Sequence, residues 1–255
     1  MEASKFGVIG EELKAHMSDK EIHSLSDLSK LRPEIESGSW FRGQRNWGWS
    51  LAPGILRPGV GVGKEKTMLK AFRRNACFSL DQRPEGDLEW MILAQHYGLP
   101  TRLLDWTLNP LQALFFAVAD KNHDTEDAAL FVLDPEGLNR QVLGTGSYPV
   151  FLSEGDKNYK SYDSKIRDRE TSHPLAVIAE KTFSRIKAQD GAFTYYGSDN
   201  YDIDKLDSSC RKILIKAGAK DLIRQELTFF GVNEASTYPD LDHLASQIKS
   251  EYADN

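Results

Sequence analysis

Asn109-Pro110 opens the stretch that most limits what this chain can fold into. Asparagine caps a helix start and proline suits the first helical position, so the pair predicts a helix beginning there. Its body, Leu111–Asp120 (LQALFFAVAD), is apolar on nearly every side, which marks a core helix. Shortly after it, Ala128–Leu133 (AALFVL) runs without a polar residue, and Leu175–Ala179 (LAVIA) does the same. Such short apolar runs bounded by polar residues read as buried strands. Phe193–Tyr196 and Arg211–Ile215 are further strand candidates. A buried helix interleaved with buried strands predicts an α+β fold, a single mixed domain with helices flanking its sheet.

The remaining segments fit around that core. Leu25, Leu28 and Leu31 predict a helix ending before Pro33, with Ser24 or Ser26 as its cap. Residues 39–63 hold six glycines and two prolines, which predicts a structured loop with one short strand at Trp40–Phe41. Lys64–Cys77 and Asp87–Tyr97 carry apolar residues at helical spacing, the second stopped by Gly98-Leu99-Pro100. Residues 144–174 predict a loop or small helical insertion, and Ala219–Phe230 and Asp240–Tyr252 predict amphipathic helices. The domain reading is a helical extension over 1–38 and the α+β domain over 39–255.

Charge separates the chain into two unequal parts. The 255 residues carry net −6, which excludes a uniformly basic nucleic-acid or membrane binder. All five tryptophans nevertheless fall within residues 40–106, where ten Lys/Arg against six Asp/Glu leave +4, so the rest carries −10. Between residues 40 and 74, Arg42, Arg45, Arg57, Lys64, Lys66, Lys70, Arg73 and Arg74 face Glu65 as the one acid. Aromatic and cationic side chains together suit planar, phosphate-bearing ligands. Cys77 and Cys210 lack CxxC spacing, and the six histidines are scattered, so no metal is expected. There is no span for a membrane and no signal-peptide pattern in residues 1–10, so a reduced, cytoplasmic protein is expected.

Two segments carry the chemistry. In Trp40-Phe41-Arg42-Gly43-Gln44-Arg45, Arg42 offers a planar fork of donors beside a glycine that lets a ligand approach. The same arginine is equally suited to holding a loop carbonyl. In Gln95–Thr107 (QHYGLPTRLLDWT), the varied polar groups beside Leu103-Leu104 read as a cleft wall. There, Arg102 and Asp105 also fit a structural ion pair, and His96 fits a helix end.

With WFRGQR, QHYGLPTRLLDWT, LQALFFAVAD, RIKAQDGAF (185–193) and YPDLD (238–242), the chain from about residue 39 onward resembles the FRG domain, a family of bacteria and phages that takes its name from Phe41-Arg42-Gly43. The motif order is also similar to that of ADP-ribosyltransferases, which bind NAD in the cleft of a split β-sheet. That likeness implies a split sheet here and an enzyme that transfers ADP-ribose from NAD to nucleic acid or protein. It further implies a toxin or antiviral-defence setting and, as a partner, an inhibitor protein of the antitoxin kind. By the same likeness Arg42 and Glu226 are catalytic, with Glu180 and Asp190 as alternative acids. Arg42, Gly43, Gln44, His96, Tyr97, Thr101, Arg102, Asp105 and Trp106 then form the NAD site, with Tyr97 or Trp106 stacking on nicotinamide. Two other classes stand beside it. One is a non-catalytic nucleic-acid or nucleotide-binding module using the basic aromatic patch of residues 40–106. The other is a hydrolase with Asp105 or Glu226 as general base.

Overall fold

The computed structural model describes residues 20–59, 61–80, 83–84, 86–143, 150–151, 173–178, 192–197, 209–238, 245, 248–249 and 252. Among them the strands form two four-stranded sheets. In the first, β1 (Glu21–Ile22) runs parallel to β8 (Cys210–Ile215), which pairs antiparallel with β4 (Ala128–Leu133). Strand β4 pairs antiparallel with β2 (Trp40–Gln44), which forms the edge. In the second sheet, edge strand β3 (Leu103–Trp106) pairs antiparallel with β7 (Ala192–Tyr195), and β7 with β6 (Leu175–Ile178). Strand β5 (Val150–Phe151) closes this sheet in parallel with β6.

The two edges meet at one place. Phe41 N–H donates to the Thr107 carbonyl (2.7 Å) and Thr107 N–H donates to the Phe41 carbonyl (2.9 Å), an isolated antiparallel bridge between the two sheets. Side-chain alternation then sorts each strand between layers. Phe41, Leu130, Val132, Ile213 and Ile215 face a helical layer made by α1 (Leu25–Leu31), α4 (Pro110–Val118) and α6 (Lys220–Phe229). Trp40, Ala129, Phe131 and Leu133 face Leu104, Trp106, Ala176 and Ala192 across the space between the sheets. On the outer side of the second sheet, Leu103, Leu175, Val177, Phe193 and Tyr195 pack on Leu88, Met91 and Ile92 of α3 (Asp87–His96). Helix α2 (Glu65–Ala76) lies beside α3. Strand β4 is buried on both faces, which is why its sequence shows no alternation.

The start of α4 follows its sequence signal: Asn109 Oδ1 accepts the Leu111 N–H at 3.0 Å. The start of α1 does not. Ser24 occupies the cap position, but its hydroxyl donates to Asp27 Oδ2, and the Leu25 N–H goes to Glu226 Oε2 at 2.7 Å. Strand β2 is longer than the Trp40–Phe41 pair expected from glycine density, because Gly43 sits inside it. A Cβ there would lie 1.9 Å from the Ala113 carbonyl oxygen and 2.7 Å from Ala117 N, so glycine allows α4 to pack directly on the strand backbone. The residues of α1, read from sequence as an extension, pack in the same core as β8 and α6. Residues 144–149 and 152–172, and most of Asp240–Tyr252, lie outside the described residues. No described helix is long and apolar enough to cross a membrane.

Candidate functional site

Where β2 and β3 diverge from their bridge, an open cleft of about 1070 Å³ forms. Arg42 belongs to the same alternation as Trp40 and Gln44, opposite to Phe41 and Gly43. Its Nη1 donates to the Asp105 carbonyl oxygen at 2.6 Å, so one donor holds the backbone of the neighbouring edge strand. Its Nε is buried and has no protein partner, and neither does Gln44 Oε1. Burial pushes the Arg42 guanidinium below its ordinary pKa; Asp105 opposes this shift and the nearby Arg57 adds to it. Arginine stays cationic under such pressure, so a poorly compensated positive charge sits in the cleft.

Asp105 faces Arg42 through its backbone and α3 through its side chain. Gln95 Nε2 donates to Asp105 Oδ1 at 2.8 Å, and the Thr101 hydroxyl donates to Gln95 Oε1, which orients the amide. Asp105 is exposed, leaving its second carboxylate oxygen open to the cleft. Tyr97, 56% exposed, stands at the mouth, edge-on to His96 and tilted against Phe72 of α2. Gly98, with φ +85°, ends α3 and turns the chain toward β3. Opposite, Arg45 pairs with Asp120 and lies 5.7 Å from the Trp49 ring centroid.

Of the residues singled out from sequence, Arg42, Gly43, Gln44, His96, Tyr97, Asp105 and Trp106 line this cleft. Several take roles other than those expected. Gly43 makes room for a helix, as described above. Trp106 is buried between the sheets with its Nε1 donating to Thr194 Oγ1 at 3.0 Å, whereas Tyr97 is exposed at the mouth. Thr101 is buried and reaches the cleft only through Gln95.

Arg102 does not pair with Asp105. Its Nε donates to Glu65 Oε2 at 2.7 Å and its backbone N–H to Glu65 Oε1 at 2.8 Å, a clamp fastening α2 to the start of β3. Glu226 is outside the cleft, since its carboxylate serves the first turn of α1 from α6. Glu180 and Asp190 lie outside the described residues.

Sequence reading passed over Glu234 and Tyr238, which reach the cleft from around the short helix α7 (Glu234–Thr237). The YPDLD segment containing Tyr238 was the one available signal. Gln95 and Gln112 were also missed as individual contributors; Gln112 Oε1 accepts the Thr107 hydroxyl at 2.9 Å beside the bridge. Among the described residues, no group of three or more His, Cys, Asp or Glu side chains is placed to hold a metal ion.

The family model of the FRG domain matches residues 37–126. The match spans β2, α2, α3, β3 and α4, and therefore Arg42, Gln95, Tyr97 and Asp105, while Glu226, Glu234 and Tyr238 fall beyond it. No curated protein and no solved structure matches the chain.

Proposed function

We propose that the cleft binds NAD and that the protein is an ADP-ribosyltransferase-like enzyme acting on a macromolecular acceptor, in the manner of a toxin or phage-defence effector. The observation that carries this reading is Arg42. A cationic fork with an unpartnered buried N–H, on an edge strand where two sheets part, suits a diphosphate. Its place on the first strand of the FRG motif agrees with the motif order of ADP-ribosyltransferases, and the parting of the two sheets supports a split-sheet fold of that type.

In this reading Arg42 holds the diphosphate and Tyr97 stacks on the nicotinamide ring. Asp105 replaces Glu226 as the acid. Its open oxygen accepts a hydrogen bond from a hydroxyl of the nicotinamide ribose and stabilises the positive charge that develops on the sugar. The bond between C1′ and the nicotinamide nitrogen breaks, and its electron pair leaves with neutral nicotinamide. The acceptor's nucleophile then bonds to C1′ and gives up its proton. Gln95, oriented by Thr101, keeps the Asp105 carboxylate turned toward this position.

The test is nicotinamide release from NAD in the presence of nucleic acid and protein acceptors, followed by chromatography. Arg42→Ala and Asp105→Asn each lower the rate about 100-fold, while Glu226→Gln leaves it unchanged. Free ADP-ribose as the sole second product would identify water as the acceptor and a hydrolase. Absence of nicotinamide release with every acceptor pool would overturn the reading.

A further inference from the structure

The eight cations of residues 40–74 do not act as one patch. Arg45 is paired with Asp120 and Arg73 with Asp87, while Arg42 and Arg57 donate to the carbonyls of Asp105 and Ala52. The remaining four, Lys64, Lys66, Lys70 and Arg74, are exposed and make no ion pair among the described residues. Three of them, Lys66, Lys70 and Arg74, recur every fourth residue of α2. They therefore form one row along the helix, advancing about 6 Å per step. That interval is close to the separation of successive phosphates along a single nucleic-acid strand. Glu65, the acid at the start of the helix, is buried in its clamp on Arg102 and does not neutralise the row.

We infer that this exposed row of α2 is a docking track for single-stranded nucleic acid. Charge complementarity selects a polyanion, and the net −6 of the whole chain confines it to this face. Spacing favours a nucleic-acid strand, since the cations of the row recur at about the interval of successive phosphates. Phe72, which lies 6.3 Å from the Tyr97 ring, is on the opposite side of α2, so the row runs along the outer face of the helix, away from the packing against α3. An anionic membrane is the poorer fit, because Leu69 of α2 packs on the core around α3, leaving no broad apolar face on the helix to insert. The track rests on α2 alone and stands whether or not the cleft turns over NAD. Where the transferase reading also holds, the track names nucleic acid as the acceptor.

The experiment is fluorescence anisotropy of the full chain with labelled single-stranded DNA and RNA of mixed sequence, titrated between 50 and 200 mM salt. Parallel titrations use phosphatidylserine vesicles and a polyglutamate peptide. Three or four phosphate contacts give a log–log salt slope of about −2 to −3. The triple variant Lys66→Gln/Lys70→Gln/Arg74→Gln binds the oligonucleotides at least about tenfold more weakly and with a slope near −1. Thr67→Lys, at an exposed neighbouring position, strengthens binding, a gain that misfolding does not produce. Arg42→Ala keeps the oligonucleotide affinity even where nicotinamide release is lost, which separates the track from the cleft. Oligonucleotide binding that is unchanged in the triple variant, or absent altogether, overturns the inference. So does loss, in that variant, of vesicle or polyglutamate binding in place of oligonucleotide binding.

Discussion

Helix α6 and strand β2 both carry charged side chains into the body of the protein, and they leave them in opposite states. On α6 every such group has its partners. Lys220 is buried, with Nζ donating to the carbonyls of Arg45 (2.9 Å) and His123 (2.6 Å). Arg224 makes a two-pronged contact with Asp124 at 2.7 and 2.8 Å and also donates to the Val118 carbonyl, while Glu226 takes the Leu25 N–H. On β2, Arg42 keeps a buried N–H without a protein acceptor and Gln44 keeps an oxygen without a donor. Saturated polar groups hold elements together; unsaturated ones at a cleft cost stability and are available to a ligand. By that criterion the α6 face, Glu226 included, is scaffold, and the β2 edge is the candidate site.

Substitutions separate the two regions by size and sign. The largest effect is expected at Gly43→Ala, where a methyl group collides with α4 backbone that no rotamer change relieves. It should cost about 3 kcal/mol in urea unfolding and deform the seam as well. Next comes Arg224→Ala, at about 2 kcal/mol, because it strands partners in a mostly buried pair. Its pH signature is specific. The hydrogen bond from Arg224 holds the Asp124 pKa below the ordinary carboxylate value. A depressed folded-state pKa adds stability above the unfolded value of about 3.9, and that increment is lost as pH falls through the lower folded value. Removing Arg224 should flatten the acid-side decline in melting temperature. Glu226→Ala should cost about 1 kcal/mol as a lost helix cap, with nicotinamide release intact. The smallest change is at Arg42→Met: within about 1 kcal/mol and toward greater stability, since an ill-compensated buried charge is removed. A large loss of stability at Arg42 would place the β2 edge with the scaffold and break the contrast.

Local signals in the sequence carried far, and non-local pairing set their limit. Asn109-Pro110 and the apolar run 128–133 marked α4 and β4 because capping and full burial leave traces in neighbouring residues. Arg42, Tyr97 and Asp105, each in a dense segment of mixed chemistry, line one cleft. The packing of α4 on Gly43 was not legible, because a glycine in a strand looks the same in sequence whether or not a helix lies against it; the position of Ala113 shows that one does. Arg102 and Asp105 are near in sequence and were matched for that reason. The partner chosen by the fold, Glu65, lies 37 residues earlier. The docking row on α2 was hidden among eight equivalent cations until the ion pairs of Arg45 and Arg73 removed them from the set.

The pairing of β1 with β8 has a consequence in time. Glu21 lies opposite Leu214 and Ile22 opposite Ile215, so the earliest of the described strands pairs with the last of them. At ~5–20 residues per second, a ribosome takes about 10–40 s to make the chain between them. Through that interval Leu25, Leu28 and Leu31 lack the α6 surface on which they finally pack. The first sheet therefore closes only after nearly the whole described chain has been made, and the leucine face of α1 stays uncovered until then.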